Sequence, residues 1–512
     1  MQITKTDYLE YTFCKKNLWL KKHKPELFDG VELSDFEKKI IEEGNVADEE
    51  ARNLFPGGIL VDCHGQRALD DTKKYIENKE QTIFQATFKE DVFFIRADIL
   101  IYNQEQDGYE LYEVKASNDV KRKEPHHYIN DLAFQKSVIE KCIVEKNEIN
   151  IKSGAKIKSG INIIKTGVIH LNREYKKVGK INYQELFVIV DLTDEVVEAQ
   201  PKVKLQMSGM KQYLNMPEEK GCECLYRGNN AQCTTFAYSN PNVPEYSVHN
   251  INRIGASKKL LYDWMDRGIY ALEDIDNPEA LTGAKKAQYD AYMLGRPIIN
   301  TMAIQKTLDQ LVFPLHFFDY EGYVSAIPRF DNFSAYEQTP FQYSLHTMQA
   351  DGTTQHKEFL ITDPQGDLTL PLVERMKKDL GSEGTVIAWY SSYEKQRNEK
   401  LADIHPEYAQ FLQNINNNMF DLMTIFSNNY YVDAAFKGSA SIKKVLPVIV
   451  PELTYKNLNI CKGDQASERW EKMISEDVSD TEKEQIKMDL LEYCRLDTWA
   501  MVKIYEFLKT LY

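Results

Sequence analysis

Apolar and polar residues alternate along three neighbouring stretches, Thr82 to Phe88, Val92 to Tyr102 and Tyr109 to Lys115, with Asp107-Gly108 as a turn between the last two. Period-two patterning of this kind predicts strands with distinct faces. Helical periodicity precedes them, over Lys5 to Lys22 and Asp35 to Leu54. A further helix is expected from Pro125 to about Val144, with proline tolerated in its first turn. A β-rich stretch follows from Ile161 to Leu192, and from Ser208 to Tyr246 Gly, Asn, Cys and Pro predict an irregular segment that something must pin. Short helices are expected over 247–310, including Ser257 to Arg267 ending at Gly268. From Phe313 a second α/β pattern opens with a strand at His316 to Gly322, continues with a strand at Thr385 to Trp389, and closes with a helix from Thr481 to Leu511. The pattern divides the chain at 1–245, 246–310 and 311–512, with no internal repeat or low-complexity tract.

Composition narrows the class. The 512 residues are 43% hydrophobic, enough to bury real cores. The longest apolar runs, such as Val445 to Val450, fall far short of the roughly 18 to 20 residues of a membrane span. Met1 to Tyr8 contains no apolar signal core, so the expected location is cytoplasmic and no membrane partner is expected. The 63 Lys and Arg against 78 Asp and Glu leave a net charge of −15. That argues against a passive nucleic-acid coat but not against a nuclease, which gathers carboxylates around metals. Eight cysteines in a cytosolic chain point to metal sites before disulfides.

Three constellations carry chemistry. In the first, Asp98 interrupts the apolar run Phe94 to Ile101, and Glu113 and Lys115 share one strand face. Paired strands would bring Asp98 and Glu113 to one Mg²⁺, with Lys115 acting on the attacking water or the scissile phosphate. Tyr128, Asp131 and Gln135 fall on one helical face that could look down on this site. The same residues also fit a strand hairpin with surface charges.

In the second, Cys14 sits on the first predicted helix, and Cys222, Cys224 and Cys233 lie in the irregular segment. Four thiolates suit tetrahedral zinc or a 4Fe–4S cluster, and spacing alone does not separate them. Cys63, Cys142, Cys461 and Cys494 match no ligand spacing and are expected to be structural.

In the third, Asp319 and Glu321 end an apolar strand on one face, where they repel unless cations sit between them. Glu394 follows the strand at Thr385, and Tyr493 and Asp497 share a helical face. Lys443 and Lys444 could touch a phosphate backbone or simply line a solvated face.

The first set, Asp98, Glu113-Val114-Lys115 and Gln135, resembles PD-(D/E)xK nucleases of the RecB type, especially CRISPR-associated ones with one early cysteine and a late cysteine cluster. It departs from them in Glu43 to Asp48, which lacks the histidine those enzymes often use as an extra ligand. The resemblance implies a restriction-endonuclease-like mixed sheet, and it favours an iron–sulfur cluster over zinc at Cys14, Cys222, Cys224 and Cys233. The third set resembles the DEDD exonucleases of RNase H-like fold, in the subclass marked by Tyr-x-x-x-Asp. That likeness implies two divalent ions, Mg²⁺ or Mn²⁺, held by Asp319, Glu321, Glu394 and Asp497, with Tyr493 positioning water. Glu394 stands where the family usually has Asp, and Asp421 is a competing ligand. The whole chain, including Phe436 to Pro447, is similar to a bacterial family of unknown function that fuses the two folds.

The implied function is a metal-dependent nuclease trimming nucleic-acid ends, DNA ahead of RNA, 5′→3′ by the first domain and 3′→5′ by the second. Phage defence, CRISPR-related processing and repair are the settings it suggests. The alternatives are a nucleic-acid-binding scaffold with one degenerate site and an RNA-processing exonuclease.

Overall fold

The alternation between residues 82 and 115 builds the middle of a seven-stranded mixed sheet. Its order is Ile59–Leu60, Thr82–Glu90, Phe93–Asn103, Gly108–Lys115, Ile163–Leu171, Phe187–Asp191, and Ile3–Thr4 pairs in parallel with Phe93–Asn103. The structure is a computed structural model that describes residues 1–29, 35–123, 127–149 and 156–512. Gly108–Lys115 and Ile163–Leu171 run parallel, so the chain must cross over between them, and the buried helix Tyr128–Ile139 lies in that crossover. Both sheet faces are apolar. Ile83, Ile95, Leu111 and Val168 cluster with Leu132 and Phe134, whereas Phe84, Ile99, Tyr112 and Ile169 cluster with Ala47 and Ala51 of the helix Asp35–Ala51.

A second, five-stranded mixed sheet has the order Thr354–Leu360, Thr339–Met348, Leu315–Tyr323, Thr385–Ala388, Met419–Asp421. The first three strands are antiparallel and the last two pairings parallel. Alternation along Leu315–Tyr323 separates its two faces. Phe317 meets Tyr505 of the closing helix Asp480–Lys509, and Tyr320 on the other face donates its hydroxyl to Met376 Sδ of the helix Leu370–Leu380. Asp319 and Glu321 share the face of Phe317, under the closing helix. Among the described residues, no helix is long and apolar enough to cross a membrane.

Contacts divide the chain into two units. The first holds Met1–Leu225, Cys233–Pro241 and Ser325–Tyr336, and the second holds Tyr226–Gln232, Asn242–Val324 and Glu337–Tyr512. The segment expected as a separate linker, 246–310, groups with the second unit. Ile298–Ile299 pairs with Tyr431–Val432, and Asn252 Nδ2 donates to the Gly438 carbonyl at 2.6 Å. Ser325–Tyr336, expected in the last domain, groups with the first unit because Ala326 and Ala335 are buried beside Tyr112 and Val114.

Three expected elements differ. The helix over Lys5 to Lys22 is two helices, Lys5–Phe13 and Lys15–His23, parted at Cys14, whose backbone is extended (φ −153°, ψ 101°). The helix expected to reach Val144 ends at Ile139, and Ile143–Ile149 is a strand; Pro125, its expected start, lies outside the described residues. The irregular stretch expected from Ser208 begins later, because the helix Thr193–Leu214 continues through it with Met207, Met210 and Leu214 buried at helical spacing.

Candidate metal centres

In the first unit, strand pleat and pairing deliver the acids. Asp98 Oδ2 accepts the Val114 backbone N–H at 2.8 Å, which ties it to the strand that carries Glu113 and Lys115. Gln85, opposite Asp98 in the left-handed region (φ 59°), donates one amide to Asp48 Oδ2 at 2.9 Å and to Asp98 Oδ1 at 3.4 Å. Glu113 is 2% exposed and receives Lys5 Nζ at 2.5 Å, Lys115 Nζ at 2.6 Å and Gln135 Nε2 at 2.7 Å. Asp131, also buried, takes Lys115 at 2.9 Å and Gln135 at 3.0 Å. Lys115 stands 5.2 Å from the Tyr128 ring centre. All five predicted residues of this face therefore meet around Glu113 and Lys115, and Asp98 adjoins them.

Burial followed by the Glu113 charge lifts the Asp98 carboxyl to about 8. Burial alone would lift Glu113 too, but Lys115 and Lys5 outweigh it and hold that carboxyl below its ordinary range. Burial would likewise depress Lys115, yet Asp131 and Glu113 keep it well above the usual lysine value. Lys5 and Asp48 are site residues that sequence spacing missed. Asp48 lies inside Glu43 to Asp48, the stretch lacking a histidine, and its Oδ1 is buried without a hydrogen-bond partner, as is Gln135 Oε1. These orphaned oxygens lie near Asp98 and Glu113, but Asp48 Oδ2 is paired with Arg52, and the carboxylates of Asp48, Asp98 and Glu113 do not all come within 4.8 Å of one another.

The cysteine set closes completely. The sulfurs of Cys14, Cys222, Cys224 and Cys233 all lie within 4.8 Å of one another, with Cys222 and Cys233 3.9 Å apart, and all four are free thiols. The extended backbone at Cys14 interrupts the helix there, and Asn17 Oδ1 accepts from the Thr235 backbone N–H and hydroxyl at 3.1 and 2.7 Å, pinning the late segment. Hydrogen bonds within the set hold the Cys222 and Cys224 thiols below their usual range and help push Cys14 and Cys233 above it, so the four titrate as one group. The four cysteines could hold a metal ion.

In the second unit, Asp319 and Glu321 lie beside Cys494, with the three ligand atoms within 4.8 Å of one another. Cys494, expected to be structural, is thus part of the acid cluster, its thiol 4.0 Å from Asp319 Oδ2. The strand bulges between Glu321 and Gly322, where a side-chain carbon on Gly322 would stand 2.6 Å from the Tyr393 hydroxyl. A larger residue there would have to displace the Tyr393 hydroxyl and the Gln338 side chain, and the absence of one lets Tyr393, on the helix Ser392–Ile404, approach the strand end. Glu394, in its first turn, is 1% exposed and its Oε2 has no hydrogen-bond partner. Asp497 Oδ1 accepts the Tyr455 hydroxyl at 2.6 Å, a partner the sequence did not reveal.

Burial first, then the Asp497, Glu321 and Glu394 charges, raises the Asp319 carboxyl well above its ordinary range. Burial lifts Glu394 to about 8 and Asp497 to about 6. Burial followed by the Asp497 charge likewise raises the Tyr493 phenol. Asp421 has other work, accepting the backbone N–H groups of Tyr390, Ser391 and Met423 at 3.0, 3.1 and 3.0 Å. Its carboxylate caps that turn, whereas the Glu394 charge adds to the upward shift of Asp319 and Glu321. Lys443 Nζ lies 3.5 Å from the Tyr493 hydroxyl, and Lys444 beside it is exposed.

Residues 316–441 match a family described as a domain of unknown function (DUF2779). That span contains Asp319, Glu321, Glu394 and Asp421 but neither Tyr493 nor Asp497. The chain is 27% identical over 304 residues to the uncharacterized protein UU173 of Ureaplasma parvum serovar 3, across 54% of this chain and 41% of that protein. It is 29% identical over 213 residues to the uncharacterized protein MG366 of Mycoplasma genitalium, across 38% and 32% respectively. A homologue of MG366 in Mycoplasma pneumoniae matches to the same extent. The aligned regions thus span less than half the length of these relatives.

Proposed function

We propose that the chain is a divalent-metal-dependent nuclease with two sites, one in each unit, that trims DNA ends. The observation that carries this reading is the second unit's acid cluster: burial with the Asp497, Glu321 and Glu394 charges raises Asp319, burial with the Asp497 and Glu394 charges raises Glu321, and buried Glu394 keeps one oxygen without a partner. Buried like charges are costly without cations between them, and Mg²⁺ or Mn²⁺ matches the carboxylate oxygens that dominate the cluster. Such ions would supply water activation and stabilise charge on the leaving oxygen. The protein's own part is positional. Tyr455 holds Asp497, and Tyr493 orients the attacking water. This is the DEDDy-type, RNase H-like reading, with 3′→5′ polarity. In the first unit, the RecB-like PD-(D/E)xK reading gives Asp98 and Glu113, joined by Asp48, to the metal. Lys115 neutralises the scissile phosphate, and Gln135 fixes Glu113.

The spacing of the four cysteine sulfurs supports a single tetrahedral ion. Bonds of about 2.3 Å from zinc to sulfur separate ligands by about 3.8 Å, close to the Cys222–Cys233 distance. A 4Fe–4S cluster, with one iron per cysteine, needs its thiolates farther apart.

One observation favours a degenerate first site as a second reading. Lys5 and Lys115 already saturate Glu113 and Asp131, leaving less negative charge for a metal. The deciding experiment incubates purified full-length protein with Mn²⁺ or Mg²⁺ and end-labelled DNA and RNA, alongside Asp98→Ala and Asp319→Ala variants. Metal-dependent shortening lost stepwise in the two variants is the expected result. No cleavage of any substrate overturns the nuclease reading.

A further inference from the structure

Lys443 lies in the first turn of the helix Ile442–Ile449 and is exposed, yet its ammonium turns toward the second site. It stands 5.7 Å from the Tyr493 ring centre and 5.8 Å from that of Tyr455, the two phenols that flank Asp497. Its hydrogen bonds are to neutral groups, the Cys461 carbonyl at 3.1 Å and the Tyr493 hydroxyl at 3.5 Å. Its charge reaches Asp319, Glu321 and Asp497. Arg397, whose charge reaches Glu394, is engaged by Tyr393: its guanidinium donates to the Tyr393 carbonyl at 2.7 Å and lies over the Tyr393 ring.

Charge balance says what such a cation is for. Four carboxylates and two divalent ions sum to zero, so an incoming phosphodiester brings one negative charge that nothing in that set offsets. A solvent-exposed ammonium beside the water-orienting tyrosine is placed to meet it, and ammonium–phosphate attraction strengthens as charge builds on the phosphoryl oxygens. We infer that Lys443 is a further catalytic residue of the second site, contacting the phosphate of the terminal nucleotide and holding Tyr493 in register with it. The inference rests on the exonuclease reading of that site. Tyr455, buried with its hydroxyl on Asp497, is a positioning residue for that carboxylate.

Lys444 provides an internal control. It carries the same charge one position along, but adjacent helical residues diverge by about 100°. The test uses full-length protein with the first site disabled by Asp98→Ala, Mn²⁺ and a 5′-labelled single-stranded DNA, comparing Lys443→Ala, Lys443→Arg and Lys444→Ala. Lys443→Ala is expected to lower kcat by about 100-fold with unchanged Mn²⁺ affinity, as loss of one transition-state donor does. Lys443→Arg should recover part of that loss. Lys444→Ala should change only KM and its salt dependence. If Lys443→Ala melts early, Lys443→Met, which keeps the stem between the two rings, is measured in its place. A kcat near wild type in the alanine or methionine variant overturns the inference, as does an equal, KM-only loss for both lysines. Asp319→Ala in the same background separates the two levels: 3′ trimming that survives it overturns the exonuclease reading, whatever Lys443 does.

Discussion

Replacing Glu394 by glutamine should stabilise the metal-free protein while weakening its response to metal. Glu394 is 1% exposed, and burial lifts its carboxyl from an ordinary 4.5 to about 8. Between those values the folded form keeps a proton that the unfolded chain has released. Stability therefore falls as pH rises through that window. Each pH unit across it costs about 1.4 kcal/mol, a ceiling of on the order of 5 kcal/mol at pH 8. Relaxation around a buried carboxyl leaves about half of that. Glutamine has the same shape and no proton to lose, and its amide can donate to neighbouring carboxylates. Thermal melting of the chelated full-length protein between pH 5 and 8 should show a flatter pH dependence for Glu394→Gln and, at pH 8, a Tm about 2–4 °C above wild type. Adding Mn²⁺ should reverse the order, because a ligand that binds only the folded state stabilises by about 2.7 kcal/mol at a hundred times its Kd, and the variant has lost one ligand charge. A metal-free Glu394→Gln that melts below wild type at pH 8 refutes the reasoning, as does an undiminished response to Mn²⁺.

Lys115→Met, made with Asp319→Ala, should abolish 5′→3′ cleavage while the protein remains folded; wild-type rates in that variant would remove Lys115 from the chemistry. Cys14→Ser should release the bound metal and lower the Tm, since Cys14 supplies one of four sulfurs within 4.8 Å of one another. Elemental analysis of the parent protein should find one zinc; a brown protein absorbing near roughly 400 nm would show a cluster instead, and no metal would eliminate the site. His346 and His356 are pushed down from 6.5 to about 3 and about 4 by burial first, then, for His346, by the His356 charge and Arg495, and for His356 by Arg495. The folded form thus binds fewer protons than the unfolded chain, so stability should fall as pH drops from 6.5 toward 4. His346→Phe should lose less over that range, and an identical slope in both proteins would contradict the assignment.

Local spacing made part of each site legible. The pleat of a strand places Asp319 with Glu321 and Glu113 with Lys115, and the turn of a helix places Tyr493 with Asp497, whatever surrounds them. Strand alternation likewise located the Asp98 strand and its neighbours to within a residue or two. The strands Thr339–Met348 and Thr354–Leu360 went unread because both are defined by pairing with their neighbours. What only the tertiary structure decided is which distant residues complete the sites. Lys5 reaches Glu113 across 108 positions of chain, and Tyr455 reaches Asp497 across 42. Cys494 and Lys443 join the acid cluster from a helix interior and an exposed helix start. The different surroundings of Glu394 and Asp421 also came from the fold: the Asp421 carboxylate, at the end of a strand, caps a turn, whereas Glu394, in the first turn of a helix, is buried with an unpartnered oxygen. Periodicity records which face a residue occupies within its own element. It carries no information on what another element, folded back from far along the chain, brings to that face.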